Sequence, residues 1–367
     1  MKEKISTCGK CILNDQIKGF EIDNEGLCNV CREHKLFVPY GEGKLIRQLR
    51  KAQEKDRIYD ALVPLSGGKD STYVLYLAAM KYKLNVLTYT FDNGFMSDFA
   101  KRNIAQSVKI CGVDHIWVKH DEALIRELYR TALTQSAEIC GICGIGIERS
   151  MLRISETWKI PLILLGHSKT EANSFTSENI YDQSRIKAIL KTNSNISSNK
   201  IKRYLIYSHL NFITSYLFTK TGRFGKKVNI LYYLDNPTEK EIARILVREM
   251  GWKEPGASEY TRHFDCIAEP FTNYIREKRF GNSRRLPQLS NMIRDNEISR
   301  QEAIKINLDD LKNPVPENYY EVLTALDLTE KDIAEIVKIP ENVFGDKISF
   351  SNQLFAHVRN LVKGNDH

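Results

Sequence analysis

The stretch Pro64-Leu65-Ser66-Gly67-Gly68-Lys69-Asp70-Ser71-Thr72 constrains this chain more than any other. It follows an apolar run, Ile58 to Leu65, and precedes Tyr73 to Met80, which reads as a helix. Two adjacent glycines can take backbone angles closed to other residues. Several N–H groups can then turn toward one anion, with the positive end of the next helix behind it. Lys69 adds a mobile cation, and Ser66, Ser71 and Thr72 add hydroxyls. Asp70 would repel a bare anion, so its expected work is to hold Mg²⁺ or a water. Strand, glycine turn and helix in that order predict a phosphate site in an α/β fold.

The surrounding sequence extends that pattern. Ala61 to Leu65, Asn85 to Phe91, His115 to Val118 and Ile160 to Leu165 read as strands. Asp98 to Cys111, Asp121 to Thr134 and Gly144 to Trp158 read as the helices between them. Strands alternating with helices predict a parallel sheet covered on both faces. Ligands of such sheets bind beyond the strands' carboxyl ends. Asp92 and the pair Gly166-His167 fall there, after the second and fourth strands. The Asn/Ser/Lys-rich run from Asn193 to Lys202 reads as a loop. Three sections are expected: 1–40 with four cysteines, 41–235 as the α/β domain, and 236–367 as mostly helical.

Of the 367 residues 42% are apolar and 27% charged, an ordinary globular balance. No apolar run reaches the roughly 20 residues of a membrane span, and a cytoplasmic setting is expected. The net charge is +8. Between Tyr181 and Ile230 ten Lys/Arg stand against one acid, Asp182. Such a segment suits RNA or an anionic small substrate, or is a plain solvated face. Arg276, Lys278, Arg279, Arg284 and Arg285 form a second basic stretch open to the same two readings. Trp117, Trp158 and Trp252 read as core.

Six of the eight cysteines form three Cys-x-x-Cys pairs. In a cytosolic chain that spacing argues for metal or redox chemistry over disulfides. Cys8/Cys11 and Cys28/Cys31, sixteen residues apart, predict a knuckle holding structural Zn²⁺. Cys140 and Cys143 precede a helix, and Cys266 stands over a hundred residues on, flanked by His263 and Asp265. A helix N-terminus lowers a thiol pKa. These three read as a second structural metal site, as small buried hydrophobes, or as functional thiols. In the last case they carry sulfur or hold three irons of a [4Fe–4S] cluster, leaving one open. Cys111 reads as buried and inert.

Ser66 to Ser71 resembles the PP-loop, Ser-Gly-Gly-Lys-Asp-Ser, of the N-type ATP pyrophosphatase superfamily. The resemblance implies cleavage of ATP between the α- and β-phosphates and adenylation of an acceptor oxygen. Ser66, Gly67, Gly68, Lys69, Asp70, Ser71, Thr72, Asp92, Gly166 and His167 would hold the nucleotide. The Cys140/Cys143/Cys266 trio is similar to that of tRNA thiolation enzymes. So is Gly166-His167 followed by Glu171-Ala172, although Thr170-Glu171 stands where an acidic pair is more usual. Over more of its length the chain resembles N-acetyl sugar amidotransferases of surface-polysaccharide synthesis. It shares with them the four-cysteine knuckle, Gly112 to His115, Tyr274 to Gly281 and Ile298 to Ile304. Where that family has Trp-Gly-Glu, this chain has Leu165-Gly166-His167.

Three functions follow as expectations. The first is adenylation of a carbonyl-type oxygen followed by sulfur insertion, with Lys69, Asp70, Cys140, Cys143 and Cys266 at work. The second is amidotransfer with ammonia from a glutaminase partner. The third is a non-catalytic zinc- and ATP-binding protein associated with RNA. ATP, Mg²⁺, Zn²⁺ and a [4Fe–4S] cluster are the cofactors these imply. A small-molecule or RNA acceptor, a sulfur-carrier protein or glutaminase, and a second copy of the chain are the implied partners.

Overall fold

The structure is a computed structural model. It describes residues 6–15, 17, 19–53, 57–167, 180–207, 212–235, 238–253, 265–312, 315–341 and 343–347. Thr170, Glu171, Ala172 and His263 lie outside the described residues.

Five parallel strands form one sheet: β1 (Ala61–Pro64), β2 (Val86–Asp92), β3 (Asp114–Lys119), β4 (Leu162–Leu165) and β5 (Lys226–Asn229). Their spatial order is β3-β2-β1-β4-β5. Register runs Ala61↔Val86, Leu87↔Asp114, Ala61↔Leu162 and Leu162↔Lys226. The direction of winding reverses between β1 and β4, which opens a crevice beyond their carboxyl ends. β5 was not legible in the sequence. Its four residues begin with two exposed lysines at the sheet's edge, and an apolar run is not needed there.

The helices, in chain order, are α1 (Glu42–Gln53), α2 (Lys69–Leu75), α3 (Asp98–Cys111), α4 (Glu122–Ser136), α5 (Cys140–Thr157), α6 (Gln183–Leu190), α7 (Ser198–Tyr204), α8 (Phe212–Lys220), α9 (Glu239–Met250), α10 (Ala268–Phe280), α11 (Leu286–Arg294), α12 (Arg300–Leu311), α13 (Tyr319–Ala325) and α14 (Glu330–Ile336). A π-helical turn, Tyr76–Lys81, extends α2. From α9 onward the described chain is helical. α7 corrects the loop expected over 193–202. Ser197 caps it through Lys200 N–H, and Ile201 and Tyr204 are buried. The polar run therefore holds a cap and two core anchors.

Alternate residues of each strand face opposite sides. Leu62, Leu87, Tyr89 and Ile163 join a core with α4, α5 and the C-terminal helices α10, α13 and α14. Ala61, Val63, Val86 and Leu164 join a second with α1, α2, α3 and α9. A third core unites the four N-terminal cysteines with Leu286, Leu289, Met292 and Ile293 of α11 and Ala303 of α12. Of the tryptophans only Trp252 is core, at 5% exposed; Trp117 and Trp158 are 47% and 43% exposed.

Candidate active site

The glycine loop leaves β1 at the reversal point. Gly67 has φ +81°, and a Cβ there would lie 2.4 Å from the carbonyl oxygen of Ala100. Glycine is required on both counts. Its own carbonyl accepts from Trp252 Nε1 at 3.0 Å and Asn103 Nδ2 at 3.2 Å. Gly68 is the N-cap of α2 and brings no side-chain cap. The first amides of a helix have no partner within it, an arrangement that suits an anion. Gly166 packs against the same helix: a Cβ there would meet Val74 Cγ2 at 2.6 Å.

A cavity of about 800 Å³ opens over this loop. Ser66, Gly67, Gly68, Lys69, Asp70, Ser71, Gly166 and His167 line it, and so do Cys140, Cys143 and Cys266. Two residues expected at the nucleotide are not on its wall. Thr72 is fully buried and gives its hydroxyl to the Gly68 carbonyl at 2.8 Å. Asp92 accepts from Gly94 N–H at 3.0 Å and shapes the turn after β2 instead.

The three cysteines reach the cavity from two directions. Cys140 and Cys143 lie in the first turn of α5, which starts four residues before the expected Gly144. The Glu138 carboxylate accepts from Cys140 N–H at 2.8 Å and sets that earlier start. Cys266 is delivered by a short antiparallel pairing with Met96. Ser97 N–H donates to Asp265 O at 3.1 Å, and Ile267 N–H to Phe95 O at 2.8 Å. The thiols are not poised as thiolates by the helix end. Burial pushes Cys143 up to about 11 and Cys266 up to about 12. Burial and then Glu138 push Cys140 well above its ordinary value. Desolvation outweighs the helix dipole here. Among the described residues, the group of ligand atoms gathered within 4.8 Å of one another is the N-terminal four, not this trio. That spread does not suit a single tetrahedral ion. A four-iron cubane is wider and is held by thiolates further apart.

The N-terminal four do suit one ion. Cys8 Sγ lies 3.8 Å from Cys31 Sγ, and Cys11 Sγ 3.7 Å from Cys28 Sγ. A tetrahedron with metal–sulfur bonds of about 2.3 Å has edges of about 3.8 Å. Backbone N–H groups of Leu13, Cys28 and Cys31 point at sulfurs of Cys11, Cys8 and Cys28, at 3.5, 3.3 and 3.4 Å. Arg300 donates to Cys11 O and Cys8 O, both at 3.2 Å, and Arg294 reaches Cys31 Sγ at 3.9 Å.

Some cavity residues carried no signal in sequence, and Asp265 was marked only as a neighbour of Cys266 that could orient the acceptor. Glu239, at the start of α9, pairs with Lys69. Asp265 Oδ2 lies 3.6 Å from where a Cβ on Gly68 would stand. Asn93 Nδ2 donates toward Cys143 Sγ at 3.7 Å and Cys266 Sγ at 3.6 Å. The sequence marked Asp92 at the end of β2 but not Asn93 beside it. The basic stretch at 276–285 divides. Arg284 lines the cavity, 3.8 Å from Glu269. Burial works against its charge, but Cys140, Glu269 and Glu138 hold its pKa above the usual arginine value. Arg285 pairs with Asp310, and Arg279 binds Ile339 O and Pro340 O at 3.1 and 3.0 Å. Cys111 is partly buried against Met250, away from this wall.

Residues 257–358 match the family described as LPS biosynthesis protein WbpG-like, C-terminal domain. No curated protein sequence matches the chain. The solved structures similar to it include the following three. The U34-tRNA thiolase NcsA from Methanococcus maripaludis with its [4Fe–4S] cluster is 15% identical, over 85% of this chain and 90% of that one, at a TM-score of 0.37. NH3-dependent NAD synthetase from Campylobacter jejuni is 17% identical, over 59% and 96%, at 0.29. NMN synthetase from Francisella tularensis is 14% identical, over 59% and 95%, at 0.28. Likenesses at this level assign no activity to this chain.

Proposed function

We propose that this chain binds ATP·Mg²⁺ in the glycine loop, adenylates a carbonyl-type oxygen of an acceptor and replaces that oxygen with sulfur. The observation that carries the reading is one cavity lined by Ser66 to Ser71 on one side and by Cys140, Cys143 and Cys266 on another. In the first step the acceptor oxygen bonds to the α-phosphorus, and the bond to the bridging oxygen of the β-phosphate breaks. Pyrophosphate leaves with that oxygen. Lys69 and the loop amides stabilise the charge that develops on it. Asp70, with Asp265 nearby, would supply carboxylates for Mg²⁺, which would offset the charge of the phosphates. In the second step a sulfide attacks the acceptor carbon, and AMP leaves with the original oxygen. Cys140, Cys143 and Cys266 would hold a [4Fe–4S] cluster, which supplies an iron open to sulfide. Within this reading, Zn²⁺ at Cys8, Cys11, Cys28 and Cys31 is structural. The sections 1–40, 41–235 and 236–367 serve as knuckle, nucleotide domain and acceptor wall.

A second reading keeps the first step and uses ammonia, from a glutaminase partner, for the second. The match over 257–358 to a family of LPS biosynthesis favours it. One experiment separates the two. Anaerobically purified protein is given ATP, Mg²⁺ and a panel of nucleobase and N-acetyl sugar acceptors, with either sulfide or ammonium. AMP and pyrophosphate are measured, and products are weighed by mass spectrometry. Sulfur in the product, lost in Cys140→Ala, Cys143→Ala and Cys266→Ala while ATP still binds, supports the first reading. Nitrogen in the product, with those variants fully active, replaces it with the second. A protein that releases no pyrophosphate with any acceptor refutes both.

A further inference from the structure

Asn93 stands at the carboxyl end of β2, one residue past the strand. Its Oδ1 accepts from Phe95 N–H at 2.8 Å. That bond fixes which way the amide faces, so the NH₂ group is turned toward the two sulfurs, at 3.7 and 3.6 Å. An amide nitrogen carries two hydrogens, one for each sulfur. Cys143 and Cys266 belong to different elements, and this one side chain spans both.

A second donor converges on the same place. Tyr129, on α4, is 2% exposed. Its buried hydroxyl has the Cys143 thiol as its neighbouring acceptor, short of a well-formed hydrogen bond. A buried hydroxyl without a well-formed hydrogen bond is costly. A neutral thiol would relieve that cost little, because its sulfur is a weak acceptor. A metal-bound thiolate carries charge and accepts a stronger, charge-assisted bond. Asn93 therefore aims two donor hydrogens at two sulfurs that would be poor acceptors as free thiols, and the Tyr129 hydroxyl stands beside one of them.

We infer that Asn93 and Tyr129 are positioning residues for an iron–sulfur group held by Cys143 and Cys266, donating to the two ligand sulfurs and setting the group's redox potential. The inference rests on the cluster reading given above and assigns roles to two residues outside the ligand set. Hydrogen bonds to ligating sulfur withdraw electron density and favour the reduced cluster. Removing them shifts the potential negative.

Two substitutions isolate the effect. Tyr129→Phe deletes one O–H and nothing else. Asn93→Asp keeps the acceptor for Phe95 N–H and replaces the donating NH₂ with oxygen. Wild type and both variants are purified anaerobically and reconstituted with ferrous iron and sulfide. Iron and sulfide per chain, the paramagnetic resonance of the reduced state and the midpoint potential are then read. The expected result is a negative shift in Tyr129→Phe at wild-type iron content. In Asn93→Asp a larger negative shift or loss of iron is expected. Iron-loaded variants with wild-type potential and resonance overturn the inference and leave the cluster reading standing. A wild type that takes up no iron beyond the N-terminal site overturns both.

Discussion

Lys69 Nζ is paired with the Glu239 carboxylate, which stands at the start of α9, far along the chain from the glycine loop. Both side chains are about four-fifths enclosed, at 18% and 21% exposed. In the proposed reading the cation for phosphate is thus held by a carboxylate when the loop is empty. Glu239→Gln frees it. Pyrophosphate should bind tighter by about fivefold, the equivalent of ~1 kcal/mol for such a pair. Lys69→Met should weaken it by about ten- to a hundredfold, since charge-assisted bonds are lost. Titration calorimetry with pyrophosphate and Mg²⁺ reads both. Weaker binding in Glu239→Gln would show that the carboxylate serves the bound Mg²⁺ more than it competes for Lys69.

Gly67→Ala places a methyl against the Ala100 carbonyl and holds a side-chain-bearing residue at positive φ. A loss of about 2 kcal/mol or more is expected. Nucleotide binding should fall with it, because the Trp252 and Asn103 bonds to Gly67 O set the loop's shape. Urea midpoints and nucleotide titration check the two effects; an unchanged midpoint would contradict the geometry.

The N-terminal knuckle shares its core with α11, and residues just before and within that helix, Arg284 and Gln288, line the cavity. Removing its metal, by chelation or by Cys28→Ser, should therefore loosen 286–303 as well as the knuckle. Hydrogen exchange should rise over both segments and stay low in α2. Arg300→Met should produce a milder form, at about 1–3 kcal/mol, by losing two bonds to knuckle carbonyls. Exchange confined to residues before 40 would refute the linkage.

Glu277, on α10, is pushed up to about 7 by burial, then by Asp310 and Glu269. A carboxyl raised in the folded state favours folding while protonated. Its contribution is full below its unfolded value and is lost as pH rises toward 7. Glu277→Gln should therefore raise the thermal midpoint more at pH 8 than at pH 5. An equal shift at both would mean the carboxyl titrates normally.

The pattern of short apolar runs and helical segments foretold four of the five strands: β1, β2 and β4 are buried nearly throughout, and the half-exposed edge strand β3 still carries the run Ile116 to Val118. It did not show β5, whose edge position relaxes that demand. It did not show α7 either, since a Ser cap and two spaced apolar anchors look like a polar loop. Asp92 was read as a nucleotide residue from its place at the end of the second strand, and Thr72 from its place directly after the motif. The fold turns one toward Gly94 and buries the other, and no local pattern reports that.

Local chemistry alone dictated the glycine turn, since glycine takes its φ of +81° without strain. It also dictated the four-thiol knuckle, whose spacing lets two short turns grip one ion. Tertiary structure decided what surrounds them: Glu239 against Lys69, Asp265 over the loop, Cys266 beside Cys143, and Asn93 between the last two. Those pairings join residues from separate elements. Sheet order and helix packing set them, and these depend on the whole chain's burial of apolar surface and not on any one segment.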